Sequence, residues 1–293
     1  MKKLIICLLS VLWIGPTLYA QSKAFKYRKV IDNTVNEVSG MVIYHPDSIA
    51  LINDSGDQAI LYTINAKGKL LHANLIQGIQ NKDWEALATD GQTLFIADFG
   101  NNCNCRKDLK IYRLHPDQGI DSIEFSLEDQ QLFPPQKSEM RYDLEALAYS
   151  NGQLHIFSKN KIGHGDYISN HYTLNNQAGK QVAKKVNSLL IPDLVVTGAA
   201  FNSTGTELLM MAYNYKRLLG IFPYSTSRLI HFSEIKNQNV FEAKMQDYRI
   251  GPLFLLGQYE SVDWIDEQNA LIASERTLFI RPRMKKIRLK KRK

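Results

Sequence analysis

Asp83-Trp84-Glu85-Ala86-Leu87-Ala88 returns further along the chain as Asp143-Leu144-Glu145-Ala146-Leu147-Ala148. Three weaker copies flank the pair: Glu37-Val38-Ser39-Gly40-Met41, Thr197-Gly198-Ala199-Ala200-Phe201 and Glu260-Ser261-Val262-Asp263-Trp264. Aligned on Glu85, the first position is Glu in four of the five copies, and small residues dominate the second and fourth. The copies are spaced by roughly 50–60 residues, close to the period of a propeller blade with insertions. Between them lie short runs rich in Ile, Leu, Val, Phe and Tyr, bounded by Gly, Asn or Asp, which read as strands. After the first copy these are 48–53, 60–65 and 69–76; after the second, 93–98, 109–114 and 122–127; after the third, 153–158, 167–174 and 181–189. No stretch sustains a helical period. Four strands per repeat, with small residues on the first, predict an all-β fold, a β-propeller whose first strands crowd around a central channel. Five blades are expected, or six if residues 219–256 form more than one unit. The fifth repeat offers only three strands, at 260–265, 270–274 and 278–281. The segment 25–31 is therefore expected to pair with it and close the ring, hiding two sheet edges.

Around this body lie two charged ends. Lys2 and Lys3 precede an apolar run from Leu4 to Ile14, a Gly15-Pro16 break and a small Ala20. This is the anatomy of a signal peptide cleaved after Ala20, and the run is too short to span a bilayer. The expectation is export to the periplasm or beyond. The net charge of +7 is set by nine Lys and Arg among residues 281–293. The remaining body is mildly acidic. The expected organisation is thus a signal peptide at 1–20, a propeller at 21–281 and a basic tail at 282–293. The tail would be solvated or lie on an anionic surface. No nucleic acid is expected as partner, and the protein is expected to be a monomer. Of the three cysteines, Cys7 leaves with the signal. Cys103 and Cys105 read as a loop-stiffening disulfide ahead of metal binding, and both ahead of redox catalysis.

In a propeller the start of each first strand and the end of each second strand open on the same face. The starts carry Glu37, Asp83 with Glu85, Asp143 with Glu145, Thr197 and Glu260. The ends carry Asn53-Asp54-Ser55-Gly56, Asp98-Phe99-Gly100-Asn101-Asn102, Ser158-Lys159-Asn160, Tyr213-Asn214 and Ser274-Glu275-Arg276. Together they predict a ring of carboxylates and carboxamides, with Lys159 and Arg276 as its fixed cations. The ligand-binding set expected from it is Glu37, Asp54, Glu85, Asp98, Asn101, Glu145, Lys159, Glu260 and Arg276. Several carboxylates on one channel need compensating positive charge. Oxygen-only donors favour a hard cation, Ca²⁺, with Glu85, Asp98 and Glu145 as its expected ligands. The competing reading, taken first, is that the repeated Glu residues are structural latches that accept backbone hydrogen bonds; direct catalysis comes last. His155, His164 and His171 fall in one blade without a metal spacing, and no Gly-x-Ser-x-Gly elbow is present. Trp84 and Trp264 read as blade packing.

The set Glu-Val-Ser-Gly (37–40), Asn-Asp-Ser-Gly (53–56), Asp-Trp-Glu-Ala-Leu-Ala (83–88), Asp-Phe-Gly-Asn-Asn (98–102) and Asp-Leu-Glu-Ala-Leu-Ala (143–148) resembles a group of exported propellers common in Bacteroidetes. It is distantly similar to the SdiA-regulated and esterase-like phytase propellers. The resemblance implies a calcium-associated propeller and, from the phytase-like members, hydrolysis of phosphoesters or esters. A phytase-like propeller also uses several Lys and Arg to hold phosphate; this face offers Lys159, Arg276 and Arg106. Two functions follow. The first is an exported propeller that binds a polar ligand or protein partner on its acidic face, with structural calcium and no catalysis. The second is a calcium-dependent hydrolase of phosphoesters or esters.

Overall fold

In the computed structural model, residues 25, 28–116, 119–162, 166–218, 222–250, 258–277 and 280–290 are described; the signal peptide expected at 1–20 lies outside them. Strand β1 (Arg28–Val30) comes first. Four strands follow in order: β2 (Val38–His45), β3 (Ser48–Asn53), β4 (Ile60–Ile64) and β5 (Leu70–Leu75). They form one antiparallel sheet in sequence order, blade 1. Blade 2 repeats this with β6 (Trp84–Thr89), β7 (Leu94–Asp98), β8 (Lys110–His115) and β9 (Gly119–Leu127). Blade 3 contains β10 (Leu144–Ser150), β11 (Gln153–Ser158), β13 (Asp166–Asn175) and β14 (Gly179–Pro192), with the short β12 (Asn160–Ile162) on β13. Blade 4 is β15 (Val195–Phe201), β16 (Glu207–Leu218), β17 (Phe222–Ser233) and β18 (Lys244–Ile250). Blade 5 is β19 (Tyr259–Asp266), β20 (Asn269–Ser274) and β21 (Arg283–Arg288), completed by β1 as its outer strand. The fold is a β-propeller, and among the described residues its strands make five such sheets.

Closure follows from both pairing and packing. Strand β1 pairs antiparallel with β21, Arg28 opposite Lys285, so the N-terminal segment fills the outer place of the last blade as expected. Apolar residues fill five seams. Val42, Ile52, Trp84 and Ile96 lie between blades 1 and 2. Phe95, Phe99, Leu147 and Ile156 lie between blades 2 and 3. Phe157, Val196 and Met210 lie between blades 3 and 4. Leu209, Leu229 and Ile272 lie between blades 4 and 5. Leu51, Ile64 and Leu271 join blade 5 back to blade 1. Blades 2 and 3 are further tied at their rims, where β14 pairs parallel with β9.

The small residues of the repeat sit where the inner strands converge. A Cβ on Gly40 would lie 2.6 Å from the Leu87 amide nitrogen, and one on Gly198 would lie 2.2 Å from the Glu260 carbonyl. No side chain fits such spaces without moving backbone.

One expectation about the ends is corrected. The basic segment 282–293 is not a tail as a whole. Residues 283–288 form β21, where Met284 packs in the core and Lys285 is buried. The strand expected at 278–281 lies partly outside the described residues; within them, Thr277 is bridged to Ile280. A six-blade count finds no support among the described residues. There, β17 and β18 continue blade 4 as one antiparallel pair.

Candidate functional site at the channel mouth

Each inner strand carries a β-bulge near its start. Pairing runs from Val38–Asn53 to Gly40–Ile52, from Trp84–Asp98 to Ala86–Ala97, and from Leu144–Ser158 to Ala146–Phe157. It likewise runs from Val196–Ala212 to Gly198–Met211 and from Tyr259–Ser274 to Ser261–Ala273. The skipped residues are Ser39, Glu85, Glu145, Thr197 and Glu260. A bulge re-aims the extra side chain, and here it delivers five equivalent residues to one mouth. This corrects the repeat register in blade 1. The counterpart of Glu85 is Ser39, whereas Glu37 matches Asp83 and Asp143, two residues earlier.

A second set of bonds brings the ends of the second strands alongside. Backbone N–H groups of Asp54, Gly100, Lys159 and Glu275 donate to the carbonyls of Glu37, Asp83, Asp143 and Gln258, at 2.9, 3.1, 2.9 and 3.2 Å. Acids thus arrive from both strand ends: Asp83, Glu85, Asp143, Glu145 and Glu260 from the first set, Asp54 and Glu275 from the second.

These acids are neutralised in different ways. Asp98 is 1% exposed. Its Oδ1 accepts from the Arg106 guanidinium at 3.0 Å and from the Asp83 amide at 3.2 Å. It is a latch, outside the close cluster formed by Asp54, Asp83 and Glu85. Glu145, 4% exposed, pairs with the Lys159 ammonium. Burial pushes Glu145 up to about 8, against the pull of Lys159. Asp143 accepts from the Asn101 amide at 3.0 Å; burial lifts it to about 6, with Lys159 opposing. The carboxylates of Glu145, Asp143 and Glu85 in turn hold Lys159 firmly protonated, against the desolvation that would lower it.

Asp54, Asp83 and Glu85 differ. Each offers a carboxylate oxygen within 4.8 Å of the others. Glu85 is 5% exposed, and none of the described residues donates it a hydrogen bond. Burial first, then the charges of Glu145 and Asp54, push its carboxyl far above the usual range. Asp83 is raised by burial and by Asp54. Gly100 makes room for the cluster. A Cβ there would meet Glu85 Oε1 at 2.4 Å and Asp83 Oδ2 at 2.5 Å.

The remaining expected residues take varied places. Glu260 is raised by burial and by Glu275, which itself rises to about 7 through burial and the charges of Asp54 and Glu37. Glu37 is exposed, with its amide bonded to the Asn53 side chain at 3.2 Å. Asn101 is buried, and its side chain donates to the Tyr142 carbonyl at 3.1 Å. Arg276 is exposed and bonds Asn33 at 3.2 Å, so it does not serve the ring as a cation. The expected metal set of Glu85, Asp98 and Glu145 therefore does not assemble. Arg106 takes Asp98 and Lys159 takes Glu145, leaving Glu85 with Asp54 and Asp83. The sequence signal for Asp83 was its place two residues before Glu85, repeated as Asp143 before Glu145.

His155 Nδ1 and His171 Nε2 lie 2.9 Å apart in the blade 3 interior; His164 lies outside the described residues. Burial lowers both, to about 4 and about 3, so the pair stays neutral. A groove of about 610 Å³ opens at the other end of blades 4 and 5, lined by Asn202, Glu207, His231, Trp264 and Asp266. Its polar groups are spent locally. Glu207 holds His231 at 2.6 Å, Asp266 caps Gln268 and Asn269, and the Trp264 indole donates to the Ala200 carbonyl.

No family model and no curated protein matches this chain. Solved structures do. One is a putative 6-phosphogluconolactonase from Bacteroides uniformis, at 10% identity, covering 86% of this chain and 85% of that one, TM-score 0.39. Another is a protein from Lactobacillus plantarum, at 9% identity, covering 81% and 80%, TM-score 0.37. A third is a lignostilbene dioxygenase from Pseudomonas brassicacearum, at 8% identity, covering 88% and 59%, TM-score 0.33. Overlaps this loose say nothing of activity; the propeller assignment stands on the strand order above.

Proposed function

We propose that this protein is an exported propeller that binds a divalent cation, Ca²⁺, at its channel mouth and, through it, a polar ligand. The observation that carries the reading is the cluster of Asp54, Asp83 and Glu85, with carboxylate oxygens within 4.8 Å of one another and a buried Glu85 that no described group hydrogen-bonds. Carboxylates packed this closely are relieved by a cation or by a proton on Glu85, and an all-oxygen donor set suits a hard cation. Three carboxylates supply only part of the six to eight oxygens that Ca²⁺ takes, so ligand oxygens can complete the shell. Lys159 and Tyr213 border the same mouth and offer donors to such a ligand. The Cys103–Cys105 disulfide fits an oxidising compartment and supports the export reading.

Calorimetric titration of chelator-treated protein with CaCl₂ tests this. One saturable site is expected, lost in Glu85→Gln and in Asp54→Asn. Equal binding by the wild type and both variants would contradict it.

A second reading, a calcium-dependent hydrolase, rests on Glu145. Burial raises Glu145 to about 8 while Lys159 pulls it down, which brings its proton within the pH range a general acid uses. Chromogenic phosphoesters and esters, assayed with calcium against Glu145→Gln, decide between binding alone and hydrolysis.

A further inference from the structure

The loop after β7 touches both sides of the acidic mouth. Gly100 lies against Asp83 and Glu85 of blade 2, and Asn101 donates its amide to Asp143 of blade 3 at 3.0 Å. What shapes this loop is Asn104, buried and in the left-handed region at φ 52°. Its amide and side chain both donate to the Asn101 carbonyl, at 2.6 and 3.0 Å. Its own carbonyl and Oδ1 accept from Gln130 at 2.9 Å and from the Tyr142 amide at 2.8 Å. Tyr142 directly precedes Asp143. The Asn101 Oδ1 accepts from the Arg106 amide at 2.9 Å, and Arg106 clamps Asp98 and the Gly100 carbonyl.

Cys103 and Cys105 stand on either side of Asn104, joined by a disulfide. Both are exposed while Asn104 between them is buried. The covalent link therefore restrains a residue whose bonds tie the blade 2 loop to the segment entering blade 3, and it does so where a thiol can reach it.

We infer that Cys103–Cys105 is a thiol-exchange site for a dithiol reductant, and that opening it loosens the blade 2–blade 3 side of the mouth and weakens cation binding there. In the exchange, one reductant thiolate attacks one sulfur and the Cys103–Cys105 bond breaks, giving a mixed disulfide and a free cysteine thiolate. The second reductant thiol then displaces the other cysteine. The reductant leaves as its cyclic disulfide, and its two protons end on Cys103 and Cys105. Without the link, Asn104 must hold a backbone conformation rare for a residue with a side chain by hydrogen bonds alone. The affinity part of this inference rests on the calcium reading above; the loop part does not.

The test compares oxidised and dithiothreitol-treated full-length protein by hydrogen–deuterium exchange and by calcium titration. Cys103→Ser/Cys105→Ser serves as the permanently open form. Reduction is expected to cut protection at the Asn101, Asn104 and Tyr142 amides by about tenfold, to leave blade 4 amides unchanged, and to raise the calcium Kd by about threefold or more. The double variant should match the reduced protein and ignore dithiothreitol. Unchanged protection on reduction would overturn the inference outright. Lost protection with an unchanged Kd would overturn the link to the mouth. If oxidised protein binds no calcium yet loses protection on reduction, the calcium reading fails and the exchange site stands.

Discussion

Two groups of buried carboxylates share the channel mouth, and only one contains direct salt bridges. Around blade 3, Glu145 and Asp143 face Lys159, and on blade 2 Asp98 faces Arg106. Between blades 1 and 2, Asp54, Asp83 and Glu85 crowd together with no direct salt bridge among the described residues, and Lys159 and Arg106 act on Glu85 and Asp83 only at longer range. The first group is complete as folded and reads as architecture. On the calcium reading, an added cation completes the second. Equivalent positions in a repeat can therefore diverge in role, and the presence or absence of a direct salt bridge separates them.

The largest effect should come from breaking a finished pair. Arg106→Ala leaves Asp98 buried and uncompensated, and should cost about 3–5 kcal/mol in denaturant unfolding. Calcium affinity should fall less than stability does. The unfinished cluster should behave in reverse. Glu85→Gln is expected to weaken calcium binding by about a hundredfold, about 2.7 kcal/mol, while the metal-free protein keeps or gains thermal stability because a like charge is gone. A smaller effect is expected from Gly100→Ala, whose methyl would displace Glu85 and Asp83. It should destabilise by about 1–3 kcal/mol and reduce calcium affinity as well.

The pH response sharpens the same contrast. Asp143, Glu275 and Glu145 are raised in the fold to about 6, 7 and 8. Between the ordinary carboxylate value and about 8, the folded state therefore holds more protons than the unfolded one. Metal-free stability contributed by these groups is present at low pH and is lost as pH rises through that window. Calcium replaces protons as counter-charge, so the calcium-induced rise in melting temperature should grow from pH 5 to pH 8. Comparing melts with and without calcium at each pH cancels the opposite slope from His155 and His171, which lose stability as pH falls below the ordinary imidazole value. The smallest effect should be Arg276→Ala. Exposed and bonded to Asn33, it should change stability by no more than about 0.5 kcal/mol and leave calcium binding intact.

Much of the fold is legible in the chain, because propeller blades repeat and four of the five repeats mark their crowded inner strand with Gly or Ala. The strands at 48–53 and 153–158 fall where the short apolar runs bounded by turn residues put them. The blade 1 register does not. A bulge breaks the two-residue period, so an acid before the bulge, Glu37, and an acid within it, Glu85, look alike in a line of letters. The acidic mouth is equally legible as a ring, but its charge pairing is not. Arg106 reaches Asp98 across a loop that doubles back around Asn104, and Arg276, next to Glu275 in sequence, turns outward because adjacent residues of an extended chain point opposite ways. The β21 strand was hidden by its own charges. Lys and Arg at 283–288 look like a solvated tail until Met284 and the buried stem of Lys285 are seen packed in blade 5.

The most direct test of the central claim is an anomalous difference map from crystals of the mature protein soaked in terbium, which stands in for calcium with a strong signal. The account predicts one dominant peak at the channel mouth, about 2.3–2.6 Å from carboxylate oxygens of Asp54, Asp83 and Glu85. A mouth with no peak, or a peak held by Asp98 and Glu145 instead, would contradict it.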